Sequence, residues 1–224
     1  MRVIRVLFIF LAATLLAQTR LDTDQLRNDL FAAMAGNAEA LQRIFVGTEN
    51  VLKENPNHAQ ALVWHGAATM GKFFVEPPGN PQAAMQNVQH GVAEMDRAVS
   101  LTPDDLEIRI MRAVVYGPAS RNLPPPLAES MLEKTRTDLQ HTFDLQEKYL
   151  AELGTHPLGE LLQALGDAYS RQGKADDAEK YYRMIQTMLK DTEYARRAGE
   201  WMKSRQPLPE AQTNCVGCHI PNRG

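Results

Sequence analysis

The chain has 224 residues, 44% of them apolar and 23% charged, with a formal charge of −3. That composition supplies enough apolar surface for one sizeable domain or two small ones and excludes a chain that is disordered throughout. An acidic balance without a concentrated basic patch gives no reason to expect nucleic acid as a partner.

Residues 1–17 contain Arg2 and Arg5, then the apolar run 6–16, then Ala17. This is the order of a secretory signal: a basic start, an apolar centre and a small residue at the cut. The run is too short to span a bilayer, so no integral span is expected once the signal is removed. Leu15 stands where a small residue is preferred, which keeps an uncleaved short anchor open as the alternative. The expected location is exported, periplasmic or secreted.

From 18 to 205 the pattern predicts one all-α domain. Apolar residues recur three and four apart, and Ala, Leu, Glu, Gln, Met and Arg dominate. Helices are expected at 22–35, 37–54, 58–73, 81–101, 104–116, 125–152, 158–172, 175–190 and 192–204. Gly36, Asn55-Pro56, Thr102-Pro103, Gly117-Pro118, Gly154 and Gly173 supply the stops, because glycine and proline end helices for opposite backbone reasons.

The most regular stretch is 162–190, where Leu162, Leu165, Gly166, Tyr169, Ala178 and Tyr182 take the spacing of a two-helix repeat. Here the sequence resembles the tetratricopeptide repeat (TPR) family, whose 34-residue unit pairs two antiparallel helices. Gly166 and Ala178 are small where two backbones must approach, and Asp176 and Asp177 suit the positive end of the second helix. Lys190 stands where that repeat usually ends in proline. A weaker unit runs through Leu62, Gly66, Ala98 and Pro103, lengthened by an insertion around 75–81. The resemblance implies an α-solenoid of stacked helix pairs whose curved surface binds a protein partner; an irregular helical bundle is the competing architecture.

Residues 206–224 change character. Gln206-Pro207-Leu208-Pro209 opens a stretch without periodicity, expected to be an unpacked linker, and it leads to Cys215-Val216-Gly217-Cys218-His219. These are the only two cysteines of the chain. The Cys-x-x-Cys-His spacing is a c-type haem attachment signature, in which Cys215 and Cys218 tether one covalent haem and His219 becomes an axial iron ligand. Other readings of the same residues are a disulfide, a redox dithiol, or a zinc site completed by His141 or His156; the redox pair lacks its usual βαβ setting, and zinc lacks a fourth local ligand.

Five residues after the motif cannot build the familiar cytochrome c domain, in which a methionine well downstream supplies the second axial ligand. The position near the C-terminus is closer to the four-helix cytochrome c′ type, whose five-coordinate iron binds gases. The sixth position is therefore expected to be vacant or filled by water, with Met202 the named alternative and packing beside Trp201 its ordinary role. The function expected is one-electron transfer by a mono-haem protein that docks a redox partner through its helical body, and not enzymatic catalysis. The alternative is a binding scaffold whose haem is a sensor or whose cysteines form a disulfide. The remaining histidines, His58, His65, His90, His141 and His156, form no metal-ligand spacing, and Asp104-Asp105 reads as a helix cap rather than a carboxylate dyad.

Overall fold

The computed structural model describes residues 21–75 and 79–209. The signal expected at 1–17 and the motif at 215–219 lie outside these residues. The described residues form nine α-helices and no strand: α1 (Thr23–Met34), α2 (Ala38–Glu54), α3 (Ala59–Val75), α4 (Pro81–Leu101), α5 (Leu106–Ala119), α6 (Pro125–Gln146), α7 (Thr155–Arg171), α8 (Ala175–Met188) and α9 (Glu193–Ser204). A short 3-10 segment, Glu147–Glu152, follows α6.

Local chemistry sets the boundaries. Asp22, Asn37, Asn80, Asp105 and Thr192 are N-caps whose side-chain oxygens accept backbone N–H bonds from the first turns of α1, α2, α4, α5 and α9. Each satisfies a donor that the helix itself leaves unpaired. Gly36 and Gly173 take φ values of 95° and 73°, the left-handed turn that ends α1 and α7. Asp105 thus caps, as its sequence context suggests.

Three boundaries differ from the sequence expectation by three residues or more. The helix expected over 125–152 is α-helical only to Gln146, and the tighter 3-10 winding beyond it brings Leu150 into the core at 4% exposure. Helix α7 begins at Thr155 rather than 158, because Pro157 lies in the first turn, where its missing N–H costs no helical bond. Helix α5 runs through Gly117-Pro118 to Ala119 instead of stopping at 116. Its end is held from outside: Arg171 Nη1 donates to the Gly117 carbonyl at 3.0 Å and Arg171 Nη2 to Ser120 Oγ at 2.8 Å.

Consecutive helices pack against one another, and α1 also touches α3, α3 touches α5, and α7 touches α9. Neighbour-to-neighbour and next-but-one contacts make an all-α, solenoid-like stack. Its interior is two apolar cores. One is built on α1 to α5, with Ile44, Trp64, Met95, Ile108 and Tyr116 at its centre; the other joins α6 to α9 through Phe143, Leu162, Leu165, Tyr182, Ile185 and Trp201.

A buried ionic network lies on the seam between them. Asp138 of α6 has no exposed side-chain surface and accepts from Arg109 Nη1 (2.7 Å), Arg112 Nε (2.7 Å) and Arg112 Nη2 (2.9 Å) of α5. Asp96 of α4 accepts from Arg112 Nη1 (3.0 Å) and Lys134 Nζ (2.5 Å), and the Tyr116 hydroxyl lies 3.2 Å from it. Burial opposes the Arg112 charge, but the hydrogen bonds and charge of Asp138, helped by Asp96, outweigh it and raise the guanidinium pKa. Burial first, then the Asp96 charge, pushes the Tyr116 phenol well up, so it stays a neutral donor.

Candidate functional site

The residues that matter most for the tail are those that set where it starts. Helix α9 ends at Arg205, which adopts the left-handed conformation at φ 52° while its N–H bonds the Trp201 carbonyl at 2.7 Å. A non-glycine residue bears a steric cost there. Its side chain is fixed in compensation: the guanidinium pairs with Glu179 and with Asp176 (3.0 Å), and lies over the Trp201 ring at 5.2 Å. Hydrogen bonding to Arg205, then to Arg183, lowers the Glu179 carboxyl pKa, and the Glu179 bond in turn raises that of Arg205.

After this reversal the chain turns back over α9. Leu208 is buried at 9% exposure in the C-terminal core, Arg121 Nη1 donates to the Leu208 carbonyl at 3.3 Å, and Arg197 Nη2 donates to the Pro209 carbonyl at 2.8 Å. The expectation of an unpacked linker directly after 205 is therefore corrected. The physical reason is that one apolar residue between two prolines carries no period to read, yet is enough to seat a short strap.

The two arginines that hold the strap lie just beyond α5 and on α9. Arg121, just beyond α5, also pairs with Asp167 of α7 at 2.6 Å. Trp201 of α9 is fully buried, stacks on Tyr182 at 4.5 Å between ring centroids, and donates to Ser170 Oγ of α7 at 2.7 Å. The ends of α5 and α7 and the middle of α9 thus fix where the strap sits up to Pro209. Among the enclosed polar atoms without a hydrogen-bond partner in the described residues are Gln163 Oε1, one turn before Asp167, and Nε of Arg197, whose Nη2 holds the strap.

Of the residues singled out in the sequence, Cys215, Cys218 and His219 lie outside the described residues. Met202 is partly buried and packs against the C-terminal core from α9. In the upstream half, His65 Nδ1 is 2.8 Å from Glu94, and His90 Nε2 is 3.5 Å from the same carboxylate. His58 Nδ1 accepts the Ala61 N–H at 3.2 Å, a capping role. No group of three or more metal-type ligands occurs among the described residues. None of their helices is long and apolar enough to cross a membrane.

Sequence reasoning missed the ionic seam and the strap. Asp138 carries a readable signal, since it follows Met131 and Thr135 on the buried face of α6, where a charge demands a partner. Arg112 on the buried face of α5 is the matching signal.

No family model matches the chain, and no curated protein matches it. Among solved structures, a thermophilic TPR protein of Thermus thermophilus is similar, 16% identical over 82% of this chain and 100% of that chain, with a TM-score of 0.40.

Proposed function

We propose that this is an exported mono-haem c-type protein that carries single electrons, with the helical stack as its docking body. The observation that carries the reading is Cys215-Val216-Gly217-Cys218-His219, which uses every cysteine in the chain. In a helical turn the two thiols and the imidazole fall three and four residues apart on one face. Cys215 and Cys218 would hold a haem covalently through thioethers to its vinyl groups, and His219 would ligate its iron. The bound haem would supply a one-electron iron couple. Cys215 and Cys218 keep it from dissociating, and the strap at Leu208 and Pro209 supports the reading by tying the start of the tail to a rigid body.

Residues 220–224 contain no methionine, histidine or cysteine and would offer the iron no second ligand. Met202, partly buried against the core, serves packing in this reading, with ligation of the iron as its alternative role. The partner is a redox protein that docks on the helical surface, consistent with the general use of such stacks. Catalysis is not assigned.

Haem staining after a denaturing gel tests the proposal, using the full chain with residues 1–17 exported by a host that attaches c-type haem. The expected result is a stained band at the size of the chain, lost in Cys215→Ala/Cys218→Ala. An unstained band from the unaltered protein would leave a helical scaffold with a disulfide.

A further inference from the structure

The outward face of α5 is apolar beyond Glu107. Glu107, Ile110, Val114 and Pro118 are exposed and recur three and four apart, so they form a single stripe, with Ile110 at 36% and Val114 at 45% exposure. The other side of the helix is occupied: Ile108, Met111, Arg112 and Tyr116 are buried. Continued past Pro118, the stripe meets Arg121, the residue that holds the Leu208 carbonyl. The described chain thus stops at one end of this stripe.

We infer that the stripe Ile110, Val114, Pro118 is the seat of the chain's own haem-bearing C-terminal segment, 210–224. The inference rests on the haem reading above. Reach permits it: from Pro209 to Cys215 the extended chain covers about 20 Å. Val114 and Ile110 lie about 10 and 16 Å along α5 from Arg121 at the rise of an α-helix. The other large exposed apolar side chains are placed less well. Val46 and Leu101 belong to α2 and α4, which do not hold the strap, Leu145 and Tyr149 lie at and just beyond the C-terminal end of α6, and Met188 lies at the end of α8.

Chemistry agrees with reach. A haem offers a flat apolar face and two carboxylates. The stripe offers aliphatic surface, and at its exit end Arg197 keeps an enclosed Nε without a partner among the described residues, close to the cationic Arg121. Gln163 Oε1, enclosed and equally unmatched, gives an acceptor for a donor on the returning segment. A seated haem edge would cover the stripe and shield one side of the porphyrin from water.

Methyl NMR of the exported, full-length, haem-bearing protein tests this. Spectra of the ferric form are compared with those of the ferrous, carbon monoxide-saturated form, which is diamagnetic. The Ile110 and Val114 methyls should be broadened or shifted by the ferric iron while those of Val46 are not. Val114→Asp should release the Ile110 methyl from the effect without loss of covalent haem. Ile110 and Val114 methyls as insensitive as Val46, in a protein that stains for haem, overturn the inference alone; so does perturbation that appears only when a partner protein is added. Absence of covalent haem overturns the inference together with the reading beneath it.

Discussion

The pairs α3–α4 and α7–α8 solve one packing problem in two ways. In α3–α4 glycine faces glycine: a Cβ on Gly66 would lie 2.7 Å from the Gly91 carbonyl oxygen, and one on Gly91 2.5 Å from that of Gly66. The backbones themselves are in contact. In α7–α8 only one glycine is used, and Gly166 receives the ring of Tyr182, with a Cβ reaching 2.8 Å from it. Gly159 repeats the device against Tyr194 of α9. The upstream core therefore closes by subtraction on both sides, whereas the downstream core closes by fitting aromatic rings into glycine notches, and it is the downstream core that anchors the tail.

The comparison can be broken first at the seam that joins the two halves. Asp138→Ala leaves Arg109 without its carboxylate and Arg112 with Asp96 alone, and should cost about 3 kcal/mol. Urea unfolding would separate into two transitions if the cores depend on this network to unfold together; a loss under about 1 kcal/mol would show that the seam is dispensable.

The next largest effect distinguishes the two notches. Gly91→Ala sets a methyl against backbone, which cannot rotate away, and should destabilise by about 3 kcal/mol. Gly166→Ala meets a side-chain ring and should cost about half as much. Equal losses in thermal unfolding would remove the distinction between the two kinds of closure.

Leu208→Ala sharpens the claim that the downstream half owns the start of the tail. It should cost about 2 kcal/mol, the low end for a buried leucine, because the site lies at the edge of the core. Unchanged stability would return 206–209 to the status of an unpacked linker.

The smallest effect concerns acid. Hydrogen bonding to Arg136, opposed by burial and helped by Gln172, holds the Glu133 carboxyl down at about 2. A folded pKa below the unfolded one stabilises above the ordinary carboxylate range, and that contribution is lost as pH falls through about 4.5 toward about 2. Glu133 is half exposed, so solvent screening keeps the effect small. The stability gap between Glu133→Gln and the parent should be measurable near neutral pH, shrink by about pH 3 and vanish near the folded pKa; a gap that grows in acid would refute the assignment.

Legibility in the sequence followed the same divide. Gly166, Ala178 and Tyr182 are readable as a repeat because a large residue opposite a small one leaves a pattern; the structure seats Tyr182 in the Gly166 notch and buries Ala178 beside them. Gly91 is not readable, since two facing glycines announce nothing, and the insertion near 75–81 displaces it from the repeat's spacing. Helix ends at Gly36, Gly173 and Asp105 are legible from backbone chemistry alone. The strap is hidden because its seat depends on Arg121 and Arg197, far away in sequence from each other and 87 and 12 residues from their acceptors. The motif from Cys215 to His219 is legible only as spacing; its residues lie beyond those described.

The intact mass of the exported full-length protein, measured under denaturing conditions, tests the central claim most directly. The account requires the mass of the chain plus one haem, reverting to the bare chain in Cys215→Ala/Cys218→Ala. A mass lower than the reduced chain by two hydrogens, with no haem added, would identify a Cys215–Cys218 disulfide and contradict it.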